Sequence, residues 1–402
     1  MPKVQSLNAR ALFGSWLGQL EVAPQILVGF SGGLDSTVLL KLLCEAVPVE
    51  RLCAVHVNHG LSDNADQWQV HAEAVCSSLG VELHCETVTV VVAGEGLEAA
   101  AREARYGVFE RLIEEDGLLL LGHHADDQVE TVLYNLLRGS GTRGLSGIPA
   151  SRPIAKGQIM RPLLLWQKSA LKAYAEQQKL IWIEDESNGE STFDRNYLRN
   201  QVIPEIAVRW PDHAQRIVHS ARLNQETAGL LVALAEEDLQ GLDPVLERGG
   251  WSLCLAAFVT LPLARQKNIL RQWPGLYDLP LPSHKIIDEI ISSLVPARED
   301  ASPKVKCQGM RWGRFRNRLY LLRHEVPFDT DNTRLTWQLD RPMLLADGSR
   351  LMGAKTLGQG LYLTPGQSLM VGTRQGGERC QPAGRQHSNS LKKLLQEFNL
   401  EP

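Results

Sequence analysis

The sequence predicts an α/β protein: a parallel twisted sheet with helices on both faces, then a mostly helical domain, then a small C-terminal α+β domain. Three observations carry that prediction. Short apolar runs alternate with helix-period patterns through the first half of the chain, the signature of strands joined by right-handed helical crossovers. A polar glycine turn, Ser31-Gly32-Gly33-Leu34-Asp35-Ser36, lies between the first such strand and the first such helix. From Pro204 onward the alternation stops, and stretches rich in Ala, Leu and Glu take over.

Each element follows from its residues. Met1 to Leu20 has neither a long apolar core nor a small-residue cleavage site, so it reads as a short amphipathic helix rather than a signal peptide. Ile26 to Phe30 is a strand, Ser36 to Ala46 a helix, and Leu52 to Val57 the next strand. A loop and a helical pattern from about Asp66 to Leu79 come next. Val81 to Val92 reads as extended, with β-branched residues in its second half. Leu97 to Glu115 is helical, Leu118 to Gly122 is a buried-type strand, and Asp126 to Leu137 is helical again. Ligands of such sheets sit beyond the strands' C-terminal ends, so the turns after Phe30, Val57 and Leu121 converge on one crevice.

Further along, Asp212 to Leu239, Leu261 to Gln272 and Ser283 to Leu294 are helical. This divides the chain into a first domain over 1–213, a mostly helical domain over 214–326 ending in a basic extended hairpin, and a final domain over 334–402. Pro327 to Thr333 is a polar linker.

Composition sets bounds on the function. With 402 residues, 44% hydrophobic and 22% charged, the chain is globular and has room for several domains. No stretch is long and apolar enough to span a bilayer. The seven cysteines are scattered with no C-x-x-C pair, which argues against a zinc or iron–sulfur site and fits a reducing cytoplasm. A formal net charge of −4 excludes a wholly basic nucleic-acid binder; any RNA contact must come from local patches.

The turn at Ser31 to Ser36 is built for an anion. Its glycines admit backbone angles that side chains forbid, and a helix N-terminus behind it presents unpaired N–H groups and a favourable dipole. Ser31 and Ser36 add hydroxyls, and Asp35 suits a Mg²⁺ that bridges phosphate oxygens. There is no GK[ST], so this is not a Walker loop. The second strong signal is His123-His124-Ala125-Asp126-Asp127-Gln128-Val129-Glu130. Asp127 and Glu130 share a helical face there, and Asp126 with Glu130 forms an i,i+4 pair. Acids in a first turn also suit the dipole, but histidines and carboxylates at a strand's C-terminal end suit holding an ammonium and taking its proton.

Arg102 and Arg105 lie three apart, placed for pyrophosphate or for surface pairs with acids such as Glu98. Arg138-Gly139-Ser140-Gly141-Thr142-Arg143 is a second glycine-rich loop, suited to phosphate or RNA backbone, of which a helix cap explains only Gly139. His56 and His59 read as structural. Arg195 and Arg199, four apart, reach one side toward phosphate or bases, with a bridge to Asp185 or Glu186 as the alternative. Lys304 to Arg323 carries seven cations and no acid, with Trp312, Phe315 and Tyr320 interleaved, which favours an RNA-backbone contact over the alternative of a solvated sheet edge. Arg374 to Lys393 is a weaker basic patch.

The Ser31–Ser36 turn resembles the pyrophosphate loop of the N-type ATP pyrophosphatases, a fold related to the adenine-nucleotide hydrolases. Together with the Asp-Asp-Gln-x-Glu-Thr helix, the Arg-Gly-Ser-Gly loop and the Asp-x-Ser-Asn…Arg-Asn-x-x-Arg pair, in that order, the chain is similar to the tRNA(Ile)-lysidine synthetase family. The likeness is strong to about Pro204 and weaker beyond. It implies a ligase of the cytoplasm that uses ATP and Mg²⁺ to adenylate O2 of the wobble cytidine of CAU-anticodon tRNA(Ile). L-lysine then displaces AMP at C2, leaving lysidine. Decoding changes from AUG to AUA and charging from methionine to isoleucine. It further implies that Ser31, Gly32, Gly33, Leu34, Asp35 and Ser36 bind ATP, with Asp35 near the metal. His124, Asp127 and Glu130 take lysine binding and catalysis, and Arg102, Arg105, Arg195 and Arg199 take phosphate or tRNA. The later domains would bind tRNA. The family continues past a Leu-Lys-Lys-Leu-Leu-Gln-Glu helix, so the final domain is expected to be cut short; a homodimer is compatible with all of this. The nearest alternative is another tRNA-modifying enzyme with this loop, such as a thiolase, which normally needs paired cysteines.

Overall fold

The computed structural model describes residues 7–62, 64–91, 96–184, 194–247, 249–298 and 303–323, and toward the C-terminus 335–339, 341–345, 350–354, 367–372, 377–382 and 385–397. The chain folds as two compact units, 1–230 and 231–402.

In the first unit two short helices, α1 (Ala9–Phe13) and α2 (Leu17–Val22), precede strand β1 (Ile26–Gly29). Then come α3 (Leu34–Ala46), β2 (Leu52–Asn58), α4 (Ala65–Leu79), β3 (Glu82–Thr87), α5 (Leu97–Leu112), β4 (Leu118–Leu120) and α6 (Ala125–Leu137). A four-residue helix, α7 (Thr142–Leu145), leads to a hairpin of β5 (Ser151–Ile154) and β6 (Gly157–Met160), and then to α8 (Lys168–Gln177). The strand order is β3-β2-β1-β4-β6-β5, with every pair parallel except the β5–β6 hairpin.

Both sheet faces are covered, which is why the central strands read as continuous apolar runs. Ile26 and Val28 pack on one side with Leu39, Leu40 and Leu43 of α3. Leu27 packs on the other with Val108 and Phe109 of α5. The crevice opens where β1 has β2 on one side and β4 on the other, the reversal at which α/β sheets bind ligands. Two glycines let its walls close. A Cβ on Gly29 would lie 2.6 Å from the Leu121 side chain, and one on Gly122 would lie 3.1 Å from the Asp35 backbone.

The expected elements up to α6 are present, with shifted ends. Helix α3 starts at Leu34 because Gly33 is its N-cap, which puts Asp35 in the first turn. Strand β3 ends at Thr87, short of the expected Val92; residues 92–95 lie outside the described residues. The β5–β6 hairpin was not expected, because Ser151, Arg152 and Pro153 carry no apolar alternation. Its partner β6 nevertheless lies beside β4, with Ile159 and Met160 fully buried.

Short helices α9 (Asp194–Tyr197) and α10 (Ile203–Arg209) flank a π-helical turn at Leu198–Val202. Helix α11 (His213–Gln240) then runs across the boundary between the units.

In the second unit, β7 (Val245–Glu247), β8 (Gly250–Cys254), α12 (Leu255–Thr260), α13 (Leu263–Gln272) and α14 (His284–Glu289) precede β9 (Lys304–Cys307), β10 (Met310–Phe315) and β11 (Arg318–Arg323). The expected basic hairpin is β10–β11, set within a five-stranded antiparallel sheet of order β7-β8-β11-β10-β9. Two of the three expected aromatics are buried, while Phe315 keeps the Arg316 guanidinium 5.4 Å from its ring centroid. Val305, Trp312 and Leu321 are in register and face the core, where Trp312 is fully buried, and Tyr320 is buried as well. Arg314 is also turned to structural use, donating to Val295 O at 2.8 Å and to Ala297 O. Arg318 pairs with Asp243 at 2.8 Å. Of the other five cations, Lys306 and Arg311 face each other across β9 and β10.

Small two-stranded pieces follow: β12 (Leu335–Gln338), β13 (Met343–Leu344), β14 (Arg350–Leu351), β15 (Ser368–Val371), β16 (Arg379–Cys380) and β17 (Asn389–Ser390), then helix α15 (Leu391–Glu397). Arg379 and Arg385 of the weaker basic patch bind Ser388 and Glu397, while Arg374 and the linker Pro327 to Thr333 lie outside the described residues. Among the described residues no helix is long and apolar enough to cross a membrane.

Candidate active site

The turn after β1 is preorganised by its own hydroxyls. Gly32 has φ +78°, which only glycine adopts without strain. Ser31 Oγ and Ser36 Oγ lie 3.1 Å apart, the Gly33 N–H donates to Ser31 Oγ at 3.3 Å, and Ser36 Oγ donates to Gly33 O at 3.1 Å. Two neighbours that the sequence reading missed wall the turn. The Ile183 N–H donates to Gly32 O at 2.9 Å, and a Cβ on Gly32 would lie 3.2 Å from His71 Cδ2. The turn leads into the N-terminus of a thirteen-residue helix, an anion cradle.

The acidic helix faces it. His124 is the N-cap of α6, and its backbone N–H donates to Asp127 Oδ2 at 2.9 Å. The imidazole joins the two motifs: Nε2 is 3.5 Å from Asp35 Oδ2 and 3.7 Å from Asp127 Oδ2, while Nδ1 is 3.4 Å from Asp126 Oδ2. Burial alone would lower the His124 pKa, but bonds to Asp126 and Asp35 and the charge of Asp127 raise it to about 10. Burial would likewise raise Asp126, but His124 and the Lys168 N–H, 2.8 Å away, bring it below the ordinary range.

Glu130 is 5% exposed. Arg199 grips it with both prongs, Nε to Oε1 at 2.5 Å and Nη2 to Oε2 at 2.8 Å, and stands 3.8 Å from Asp127. Burial pushes the Glu130 carboxyl up despite that pairing, and the Glu130 bond raises Arg199. Asp35, His124, Asp127, Glu130 and Arg199 therefore form one connected charge network. The alternative partners of the arginines, Asp185 and Glu186, lie outside the described residues.

The other expected site residues sit at its margins. Arg195 places its guanidinium 5.7 Å from the Tyr134 ring centroid. Arg102 and Arg105 lie on α5, Arg102 against Tyr106. Arg105 helps burial to hold His59 down to about 4. His56 is structural, its Nδ1 being 3.0 Å from Phe30 O. In the second glycine loop Gly139 has positive φ, and just beyond Arg143 the Gly144 O accepts from Asn135 Nδ2 at 2.8 Å, so the loop is fastened to α6. Sequence reasoning also missed Arg161, because the strand that ends just before it was not expected. A signal existed in the apolar pair Ile159-Met160, but it is too short to stand alone.

Residues 6–206 match the PP-loop domain family, 253–320 the TilS substrate binding domain and 369–402 the TilS substrate C-terminal domain. The tRNA(Ile)-lysidine synthase of Serratia proteamaculans is 39% identical over 404 residues, 98% of this chain and 90% of that protein. That of Coxiella burnetii is 38% identical over 379 residues, 93% of this chain and 83% of that protein. Among solved structures, the U34-tRNA thiolase NcsA from Methanococcus maripaludis is similar at a TM-score of 0.45 and 19% identity, over 54% of this chain and 78% of that one. That likeness is too distant to bear on the reaction. A phosphate turn tied to an acidic helix, and two relatives matched over nearly the whole chain, lead to one conclusion: the chain belongs to the tRNA(Ile)-lysidine synthase family, ATP-using ligases that modify tRNA.

Proposed function

We propose that this protein joins L-lysine to C2 of the wobble cytidine in a CAU-anticodon tRNA(Ile), through a cytidine adenylated at O2. The observation that supports this most is the His124 bridge between Asp35 of the phosphate turn and Asp127 of the acidic helix. In the first step cytidine O2 attacks the α-phosphorus of ATP, and pyrophosphate departs toward the Ser31–Ser36 turn and the α3 dipole. In the second, Asp127 and Glu130 hold the lysine ε-ammonium and take its proton. The amine then forms the C2–N bond as the C2–O2 bond breaks, and AMP carries the oxygen away. The Arg199 pair offsets part of the burial that raises the Glu130 carboxyl. Asp35 would hold Mg²⁺: its Oδ1 is buried without a partner, and one carboxylate plus substrate phosphates is the usual Mg²⁺ site. When bound, the ion neutralises charge on the leaving pyrophosphate.

We assign catalysis to 1–213 and tRNA binding to 214–326 and 334–402; the matches over 253–320 and 369–402 support that division. A tRNA substrate and seven unpaired cysteines favour a cytoplasmic setting.

The test uses purified protein, Mg-ATP, lysine and an unmodified CAU-anticodon tRNA(Ile) transcript, with the wobble nucleoside weighed after digestion. The expected gain is the mass of lysine minus water. Asp127→Asn and Glu130→Gln should each retain ATP binding and tRNA-dependent pyrophosphate release, and lose lysine transfer by a factor of about 10²–10⁴. Lysidine formation at the parent rate in both variants would overturn the roles given to α6.

A further inference from the structure

Arg161 is 2% exposed, yet among the described residues it has no carboxylate partner. It directly follows β6, at the strand end where the Leu121 N–H donates to Met160 O at 3.0 Å, on the side of the crevice away from β2. Its Nη1 donates to Pro149 O at 2.8 Å, its Nη2 lies 3.4 Å from Tyr106 Oη, and its Nε is buried without a partner. Two more guanidiniums lie against the same phenol. Arg102 Cζ is 4.9 Å from the Tyr106 ring centroid, with Nη2 3.3 Å from Oη, and Arg152 Cζ is 5.0 Å from the ring. Neither Arg102 nor Arg152 forms an ion pair among the described residues.

Guanidiniums stacked on a tyrosine are often no more than surface packing. That explanation fails for Arg161, since burying a cation without a counter-charge is costly and an orphaned Nε adds to the cost. Three like charges around one phenol compound it. The neighbouring His123 also carries an unpartnered buried Nδ1, and burial with Arg161, Arg102 and Arg105 lowers its pKa to about 3, so it stays neutral. An anion beside the cluster would supply the counter-charge that Arg161 lacks.

We propose that Arg102, Arg152 and Arg161, spaced by Tyr106, form a phosphate-binding pocket at the C-terminal end of β6. Planar guanidinium forks match phosphate oxygens in pairs. Arg102 and Arg152 supply the contacts at the rim, and Arg161 is a positioning residue that holds Tyr106 from below and adds its field. The proposal rests on the function given above, in which both substrates carry phosphate. The oxyanion is either an internucleotide phosphate of the tRNA near the wobble position or the polyphosphate of ATP.

Arg152→Gln and Arg102→Gln decide the matter by equilibrium binding of unmodified tRNA(Ile) over a salt series and of a non-hydrolysable ATP analogue. If the phosphate is the tRNA's, tRNA binding weakens on the order of tenfold, its log Kd against log salt slope falls by about one, and analogue binding is unchanged. If it is ATP's, analogue binding weakens on the order of tenfold and the tRNA salt slope is unchanged. Arg161→Lys should weaken binding in the same arm, since one ammonium cannot hold both Pro149 O and Tyr106 Oη as the two guanidinium nitrogens do. Both affinities within about twofold of the parent in both rim variants overturn the pocket. These are binding measurements, so they stand even if the parent protein makes no lysidine, which would instead overturn the function.

Discussion

His124 shows how one side chain can define a site. It caps α6, and it lies within 3.7 Å of carboxylates from both motifs. The histidines on the other flank behave in the opposite way. His59 is held down to about 4 by burial, Arg105 and His56, and His123 to about 3 by burial, Arg161 and the α5 arginines. An unfolded histidine titrates near 6.5. Between about pH 6.5 and 4, therefore, the unfolded chain binds protons that the folded chain refuses. The stability that these two histidines contribute is complete above about 6.5 and is lost as the pH falls through that window. The melting temperature should drop there, and His59→Asn should remove part of the drop. A variant curve parallel to the parent would show that His59 titrates normally.

At the scale of elements, the site depends on how closely the end of β4 approaches the start of α3. Gly122 makes that possible, since a Cβ there would lie 3.1 Å from the Asp35 carbonyl carbon and 3.2 Å from the Ser36 nitrogen. Both obstacles are backbone and cannot rotate aside. Gly122→Ala should cost about 1–3 kcal/mol of stability and raise the KM for ATP, because the displaced element carries the phosphate turn. A normal melting temperature with an unchanged KM would mean that β4 and α3 separate freely. The β5–β6 hairpin makes the complementary point. Nothing in Ser151-Arg152-Pro153 announces a strand, but its partner β6 completes the sheet beside β4 and delivers Arg161 to the crevice edge.

At the scale of the whole molecule, a net charge of −4 has to meet a polyanion. If the second unit binds tRNA as proposed, it does so with a local field rather than an overall one. Lys306 and Arg311 are cross-strand neighbours, and Lys304 stands opposite Gly313 on the same face, away from the Trp312 core. Replacing Lys304, Lys306 and Arg311 together with Gln should weaken tRNA binding and reduce the salt slope by about two. A slope equal to the parent's would place this face in solvent. Arg314 and Arg318 are poor choices for that test, since they bind the protein's own Ala297 and Asp243.

By itself the sequence determined the alternating sheet, the phosphate turn and the acidic helix. Each is written locally, as an apolar period, a glycine pair or an i,i+3 carboxylate pair within a few consecutive residues. Asp35, His124, Asp127 and Glu130 were expected as site residues from their chemistry, their spacing near strand ends and the family resemblance. What the tertiary structure decided is every pairing between distant segments: Arg199 on Glu130 across 69 positions, Ile183 on Gly32, and Arg161 with Arg152 around Tyr106. It also decided which residues of the basic run face water. Periodicity can say that Lys306, Arg311 and Trp312 lie on a strand, but the face that is buried depends on which elements cover the sheet. A single stretch of sequence holds no record of what packs against it.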